Sequence, residues 1–332
     1  KEKNAELLFI NPLAIDFKEL YGDSSSGLLS NLLQNPSKSL SKMNKFEGKW
    51  IVFDGPVDAL WIENMNTVLD DNKMLSLANS QRLKMTDEMH LVFEVGDLSQ
   101  ASPATVSRCG MVYYEPSDLP WKAFMDSWFL RYQIKDEGKE VIIALLEDIM
   151  PKIIPLNSVV CISTGFESLA VFVDAMIRSF PEMETDIPDA YVKKLKQIFV
   201  WSFAWAFGGG LESKKRIEFD GVIRDSFEAK SIYPTRRTIF DYFLDKDGIT
   251  FTPWSDISNA APPDEVFVAT EDSVAFTKIT DMLITNKRHC MVVGPSGSGK
   301  SIIIQNMLAA KAETTYTLSL TLSSQTTAIQ FQ

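Results

Sequence analysis

Apolar positions along the chain fall into three successive regimes. In the first third they come as short runs separated by turn residues. Lys49–Phe53 is one such run, stopped at Asp54-Gly55-Pro56, the pattern of a buried strand that ends in a turn. Leu60, Trp61, Met65, Val68 and Leu69 then recur near helical spacing. They predict a helix over Val57–Leu69 opened by Pro56, since a first helical position tolerates a residue without an N–H. Met74–Met85 alternates on both sides of Asn79-Ser80 and predicts a hairpin. His90–Val95 and Gly110–Tyr114 read as two further strands, with a short helix over Ser102–Arg108 between them. Short buried strands interleaved with helices predict an α/β fold with a parallel sheet.

The middle of the chain changes period. Trp121–Tyr132, Val141–Met150, Phe166–Phe180 and Tyr191–Phe207 carry apolar residues at helical spacing, and Phe166, Leu169, Val173, Met176 and Phe180 share one stripe. Pro151, Pro181 and Gly208-Gly209-Gly210 punctuate these helices. Phe251-Thr252-Pro253-Trp254 begins a loop-like stretch, and Ala261-Pro262-Pro263-Asp264-Glu265 is the best linker candidate. A second α/β pattern follows. It predicts a helix over Thr270–Asn286, a strand over His289–Val293, a loop over Gly294–Gly299, a helix over Lys300–Ala310 and an alternating strand over Thr314–Leu322. The domain boundaries this suggests are 1–118, 119–252 and 253–332.

Composition narrows the function. At 332 residues the chain has room for about two domains of ~150 residues. Its 45% hydrophobic and 23% charged residues suit a globular protein with a real core. The net charge of −11 speaks against a nucleic-acid partner, because phosphate backbones require clustered positive charge. With His90 and His289 the only histidines, histidine-rich metal sites and Ser-His-Asp chemistry are disfavoured. Cys109, Cys161 and Cys290 are scattered and odd in number, which points to a reducing compartment without a disulfide framework. No run approaches the ~20 apolar residues of a membrane span; Phe199–Phe207 is short and ends in glycines. Lys1–Glu6 is mixed in charge and precedes no signal-like apolar core. The expectation is a soluble, acidic, cytoplasmic chain with neither nucleic acid nor membrane as a partner.

One motif carries strong chemistry. Gly294-Pro295-Ser296-Gly297-Ser298-Gly299-Lys300-Ser301 matches GxxxxGK[ST], the Walker A or P-loop pattern, with an apolar run before it and a helix after it. Glycines let the main chain curl so that several N–H groups face a phosphate, and the helix N-terminus adds positive potential. Lys300 would reach the β- and γ-phosphates of ATP or ADP, and Ser301 would hold Mg²⁺. A chance glycine-serine turn would not carry the whole pattern with both flanks in order. Asp54, ending an apolar strand, stands where P-loop proteins place the Walker-B carboxylate beside Mg²⁺, although many buried strands end in Asp simply to turn. Within one module the phosphate loop precedes that strand, whereas Asp54 lies far ahead of Gly294. The two therefore belong to different modules, and the partners of each are expected outside this stretch of chain.

Several segments converge on a family resemblance. Trp50–Lys73 and Ala101–Gly110 closely resemble the second AAA+ module of dynein heavy chains, and Asn11-Pro12 with Glu19-Leu20-Tyr21-Gly22 fits the segment just upstream. The P-loop, followed by Ser323–Ala328, resembles the start of the third module. Pro56 and Ser102-Pro103 are closer to axonemal than to cytoplasmic dyneins. One departure is that few residues separate Tyr21-Gly22 from Gly27, where the family has a longer, tryptophan-containing stretch.

The resemblance implies an AAA+ fold: the rear of one large α/β subdomain, a helical small subdomain, and the head of the next large subdomain. It also implies an ATP-dependent, minus-end-directed microtubule motor of the cytoskeleton, driving cilia and flagella from the axoneme. Its partners would be the other AAA+ modules of the same heavy chain, dynein intermediate and light chains, and microtubules reached through a distant stalk. Arg108 would act as an arginine finger on the neighbouring module's ATP; on residue chemistry alone, an isolated Arg is more often a surface residue. Glu94 would sit at a polar sensor position, or with Asp97 be a solvated strand-end acid. Gly55 follows Asp54 where a hydrolysing module carries Glu, so the second module should hold nucleotide and hydrolyse it poorly. The competing reading is a non-catalytic nucleotide-binding scaffold within an AAA+ ring. A stand-alone P-loop kinase or GTPase is disfavoured, since too few residues follow Ser301 to complete one.

Overall fold

Extended segments become a sheet only when each finds a neighbour to complete its backbone hydrogen bonds, and five described runs of the first third do so. From the amino end the order is β1 (Ala5–Ile10), α1 (Phe17–Tyr21), α2 (Leu28–Gln34), β2 (Gly48–Asp54), α3 (Ala59–Ile62), α4 (Asn66–Leu69), β3 (Met74–Ser76), β4 (Arg82–Lys84), β5 (Met89–Glu94) and α5 (Pro103–Val106). The structure is a computed structural model. It describes residues 5–22, 27–34, 48–77, 80–115, 118, 120–132, 134–156, 162–180, 188–226, 234, 236–245, 250–260, 268–323 and 326. Pro181, Asn79, Cys161, the 261–265 linker and the short connection at 23–26 lie outside the described residues. The chain divides into two compact units, 1–113 with 321–332 and 114–320.

In the first unit β1, β2 and β5 form a parallel sheet in the order β1-β2-β5, with Ile51 opposite Leu8 and Leu91, and Asp54 opposite Glu94. Ile51 and Phe53 are fully buried, over Trp61, Met65, Leu20 and Leu29. Phe53 stacks with Trp61 at 5.6 Å and with Phe93 at 5.3 Å between ring centroids. The buried Tyr21 hydroxyl donates to the Trp61 carbonyl, and burial pushes its pKa well above the ordinary phenol value. On the other face Leu7, Phe9 and Trp50 are exposed. β3 and β4 form the expected hairpin, with Leu75 opposite Leu83.

Two expectations are corrected here. The helix after Asp54 begins at Ala59 rather than behind Pro56, because the Asp58 carboxylate caps it, accepting from the Leu60 N–H at 2.8 Å. It also runs as α3, a 3₁₀ turn over Glu63–Met65, and α4, rather than as one α-helix. Gly110–Tyr114 is not a strand: no described residue offers it a ladder, and Met111, Val112, Tyr113 and Tyr114 are exposed.

The second unit contains α6 (Trp121–Tyr132), α7 (Asp136–Ile153), α8 (Ile162–Ser179), α9 (Pro188–Gly208), α10 (Ser213–Arg224), β6 (Tyr242–Leu244), β7 (Phe251–Pro253), α11 (Trp254–Ala260), α12 (Glu271–Thr285) and α13 (Lys300–Ala310). Its core is centred on α9, where Phe199, Trp201 and Phe203 are fully buried beside Ile142 and Ile149 of α7, Val173 and Met176 of α8, and Ile279 of α12. Two of its buried indoles find acceptors, Trp201 in the Tyr242 carbonyl at 2.9 Å and Trp254 in the Phe240 carbonyl at 2.8 Å. Among the described residues no helix is long and apolar enough to cross a membrane.

Further corrections apply to this unit. Pro151 lies inside α7 instead of ending it, and having no N–H it leaves the Glu147 carbonyl without its intrahelical donor. Phe251–Trp254 is not loop-like, since Phe251–Pro253 pairs antiparallel with Tyr242–Leu244 and the buried Trp254 opens α11. Neither His289–Val293 nor Thr314–Leu322 is a strand; Met291, Val293, Tyr316 and Leu318 are exposed and no described strand pairs with them.

The end of α12 is fastened to α8. Buried Asp174 accepts from Arg178 at 3.0 Å and from Arg288 at 2.9 Å, and the Arg288 guanidinium lies over the Tyr132 ring at 5.5 Å. Asn286 donates to the Ser179 hydroxyl at 2.9 Å.

Candidate functional site: a phosphate loop, a carboxylate edge and an arginine

The loop ahead of α13 takes its shape from two glycines. Gly297 and Gly299 have φ of 80° and 83°, the left-handed region that costs a side-chain-bearing residue dearly and glycine nothing. A Cβ at Gly297 would meet no atom within 4 Å, so backbone torsion, not crowding, demands glycine there. Gly299 is the N-cap of α13, and the amides of the first helical turn have no carbonyl of their own helix to donate to. That end of the helix carries positive potential.

Lys300 folds back over the loop. Its ammonium donates to the Gly294 carbonyl at 2.7 Å, the Pro295 carbonyl at 2.6 Å and the Ser298 hydroxyl at 3.2 Å. Ser298 in turn donates to the Pro295 carbonyl at 2.9 Å. The loop thus presents amides, hydroxyls and one ammonium held by neutral acceptors, with no carboxylate among Gly294–Ser301. This donor set fits a polyphosphate, whose oxygens are charged acceptors and outcompete neutral carbonyls for an ammonium. Ser301, exposed in the first turn of α13, is placed to offer its hydroxyl to a phosphate-bound cation.

In the other unit, parallel register brings Asp54 and Glu94 side by side at the ends of β2 and β5. The Gly55 N–H donates to the Glu94 carbonyl at 3.2 Å. Both carboxylates are exposed and border an open cleft of about 410 Å³ that Val57, Gly96 and Asp97 also line. Ser99, through its hydroxyl and then its backbone N–H, holds the Asp97 carboxyl below the usual carboxylate range. Among the described residues no group of three or more His, Cys, Asp or Glu is arranged to hold a metal ion. Asp54 with waters and phosphate oxygens fits Mg²⁺, which keeps much of its hydration and takes few protein ligands.

Arg108 follows α5, whose N-cap Ser102 accepts from the Thr105 N–H at 3.3 Å. The Arg108 Nε donates to the Asp70 carboxylate and Nη1 to the Ala104 carbonyl at 2.7 Å. Thr105 donates to the Asn66 side-chain oxygen at 2.9 Å, so α5 is tied to α4 beside the arginine. Sequence reasoning singled out Arg108 but missed Asn66 and Asp70. The only available signal was a polar cluster at the end of a helical stretch, and no spacing rule links residues so far apart in the chain. Asp54 and Glu94 are brought together within the first unit, while Gly294–Ser301 belong to the second.

A family model described as the P-loop containing dynein motor region matches residues 255–332, and one described as the dynein heavy chain AAA lid domain matches residues 140–256. Among curated proteins the chain is 34% identical to dynein axonemal heavy chain 2 of Homo sapiens, over 97% of the chain and 8% of that protein. It is 33% identical to dynein axonemal heavy chain 6 of Homo sapiens, over 90% of the chain and 8% of that protein. Identity to the ciliary dynein beta chain of Tripneustes gratilla is 32%, over 92% of the chain and 7% of that protein. The chain therefore spans less than a tenth of the length of the curated relatives it matches.

Proposed function

The chain belongs to the dynein heavy-chain family, and on that footing we propose that it runs from the second AAA+ module of the motor ring into the third. It serves an ATP-dependent motor that moves toward microtubule minus ends and drives ciliary and flagellar beating, a location that follows the axonemal and ciliary names of its relatives. The other AAA+ modules, intermediate and light chains, and microtubules met through a distant stalk are its partners in that machine. Within it, this chain holds nucleotide and presents charge.

Gly294–Ser301 take the phosphates of ATP or ADP in the third module. Gly297 and Gly299 supply the curled backbone, Lys300 exchanges neutral carbonyls for β- and γ-phosphate oxygens, and the Ser301 hydroxyl faces Mg²⁺. The bound Mg·ATP supplies the phosphoanhydride that hydrolysis breaks. In the second module Asp54 lines the nucleotide site beside Glu94, the polar sensor. Gly55 offers no carboxylate to orient a water, so this module retains nucleotide rather than turning it over. Arg108 donates to the γ-phosphate of the module that precedes its own, offsetting charge that develops during transfer.

The observation that carries this reading is the ammonium of Lys300 over a loop with two left-handed glycines at a helix N-terminus. The test is Lys300→Ala in the full heavy chain. Nucleotide retained at the third module is expected to fall by about tenfold or more, the worth of lost charge-assisted hydrogen bonds, with slower microtubule-stimulated ATPase and gliding. Unchanged retention would overturn the assignment. Lost retention with unchanged gliding would instead make the third site a structural scaffold.

A further inference from the structure

Arg108 is held by more than its own backbone. We infer that Asp70 is a positioning residue for Arg108, fixing the guanidinium so that its remaining donors face an anion contributed from outside this unit. The inference rests on the reading of Arg108 as an arginine finger.

Two rungs join α5 and the turn after it to α4. Thr105 donates to Asn66, and Arg108 donates to Asp70. Asn66 and Asp70 are one helical turn apart at the two ends of α4, and Thr105 and Arg108 are similarly spaced. The pairs therefore set the register of one segment on the other. A third bond, Nη1 to the Ala104 carbonyl, pins the guanidinium in its plane. A guanidinium has five N–H donors in a rigid fork. Nε and Nη1 are engaged here, and Nη2 has no acceptor among the described residues.

Stability does not account for this arrangement. The Arg108 side chain is 30% exposed and that of Asp70 42%, and pairs so open to water contribute little to folding. What the pair does achieve is to remove rotamer freedom from a long side chain before its partner arrives. For a group that acts on transition-state charge, that preorganisation appears in rate. A carboxylate that merely sequestered the arginine would have the opposite effect, since an incoming phosphate would have to displace it.

The test uses the full heavy chain, with kcat and the KM for ATP measured for Arg108→Ala, Asp70→Ala, Asp70→Glu and the double alanine variant. Arg108→Ala is expected to lower kcat about a hundredfold, as for loss of a direct transition-state donor. Asp70→Ala should lower kcat about tenfold, as for loss of a residue that orients such a donor, with KM unchanged. Asp70→Glu should recover most of that loss, and Asp70→Ala should cost nothing further once Arg108 is gone. Nucleotide retention at Lys300 is measured on every variant and should not change, which separates misfolding from lost positioning. An unchanged or raised kcat in Asp70→Ala, or an additive loss in the double variant, overturns the inference while leaving the arginine finger in place. An unchanged kcat in Arg108→Ala overturns the arginine finger itself, and the role of Asp70 with it.

Discussion

Helix α9 and strand β1 are both strongly apolar, and they cover their apolar residues in different ways. Along α9 Leu195, Ile198, Phe199, Val200, Trp201, Phe203 and Ala204 are buried on every side, as expected of a helix at the centre of a bundle. Along β1 Ile10 is buried while Leu7 and Phe9 are exposed. A helix satisfies its own N–H and C=O groups, so apolar packing alone decides where it settles. A strand needs a neighbour on each edge and a cover on each face, and its residues stay in solvent wherever one is missing. The same rule leaves 110–114 and 289–293 without strand partners among the described residues.

The contrast can be broken at three points. The largest effect is expected for Trp201→Ala, which removes a fully buried indole from the α9 core and its bond to the Tyr242 carbonyl. Equilibrium unfolding should show a loss of about 3–5 kcal/mol, and a loss below about 1 kcal/mol would dissolve the distinction. Next comes the covered face of the sheet. Tyr21→Phe should cost about 1 kcal/mol, the net worth of its hydrogen bond to Trp61. Burial raises the Tyr21 pKa in the folded state, so its contribution is complete below the ordinary phenol value of about 10 and is lost as pH rises beyond it. A stability profile should accordingly fall above about pH 10 in the parent chain and lack that component in Tyr21→Phe. Smallest is Phe9→Ser on the open face, where Phe9 is 66% exposed. Its unfolding free energy should stay within about 0.5 kcal/mol of the parent; a larger loss would mean that this face is covered in solution.

Legibility followed the same division. The periods of α6, α8, α9 and α12 were readable because a helix imprints its burial on one stretch of sequence. β2 and β5 were readable as apolar runs ended by Asp54 and Glu94, while Gly110–Tyr114 and His289–Val293 were not, because a ladder depends on residues remote from the run. The start of α3 turned on a local competition that pattern alone does not decide, Asp58 as a cap against Pro56 as a first residue. β6 and β7 were hidden by brevity. The phosphate loop was legible because its chemistry is contiguous. The anchoring of Arg108 by Asp70 was not, because it is made across two segments that only folding brings together.

The fastening of α12 to α8 bears on where the molecule can bend. The two matched family models meet at residues 255–256, a natural place to imagine a hinge between lid and phosphate loop. Yet Asp174 lies on the lid side of that seam, and Arg288, at the root of the loop, lies on the other. Asn286 and Ser179 straddle it in the same way. A swing of the end of α12 away from α8 would have to part a buried carboxylate from its arginine. The seam between the two family matches is therefore crossed by a buried charge-assisted pair and a side-chain hydrogen bond, which oppose bending between α8 and the end of α12.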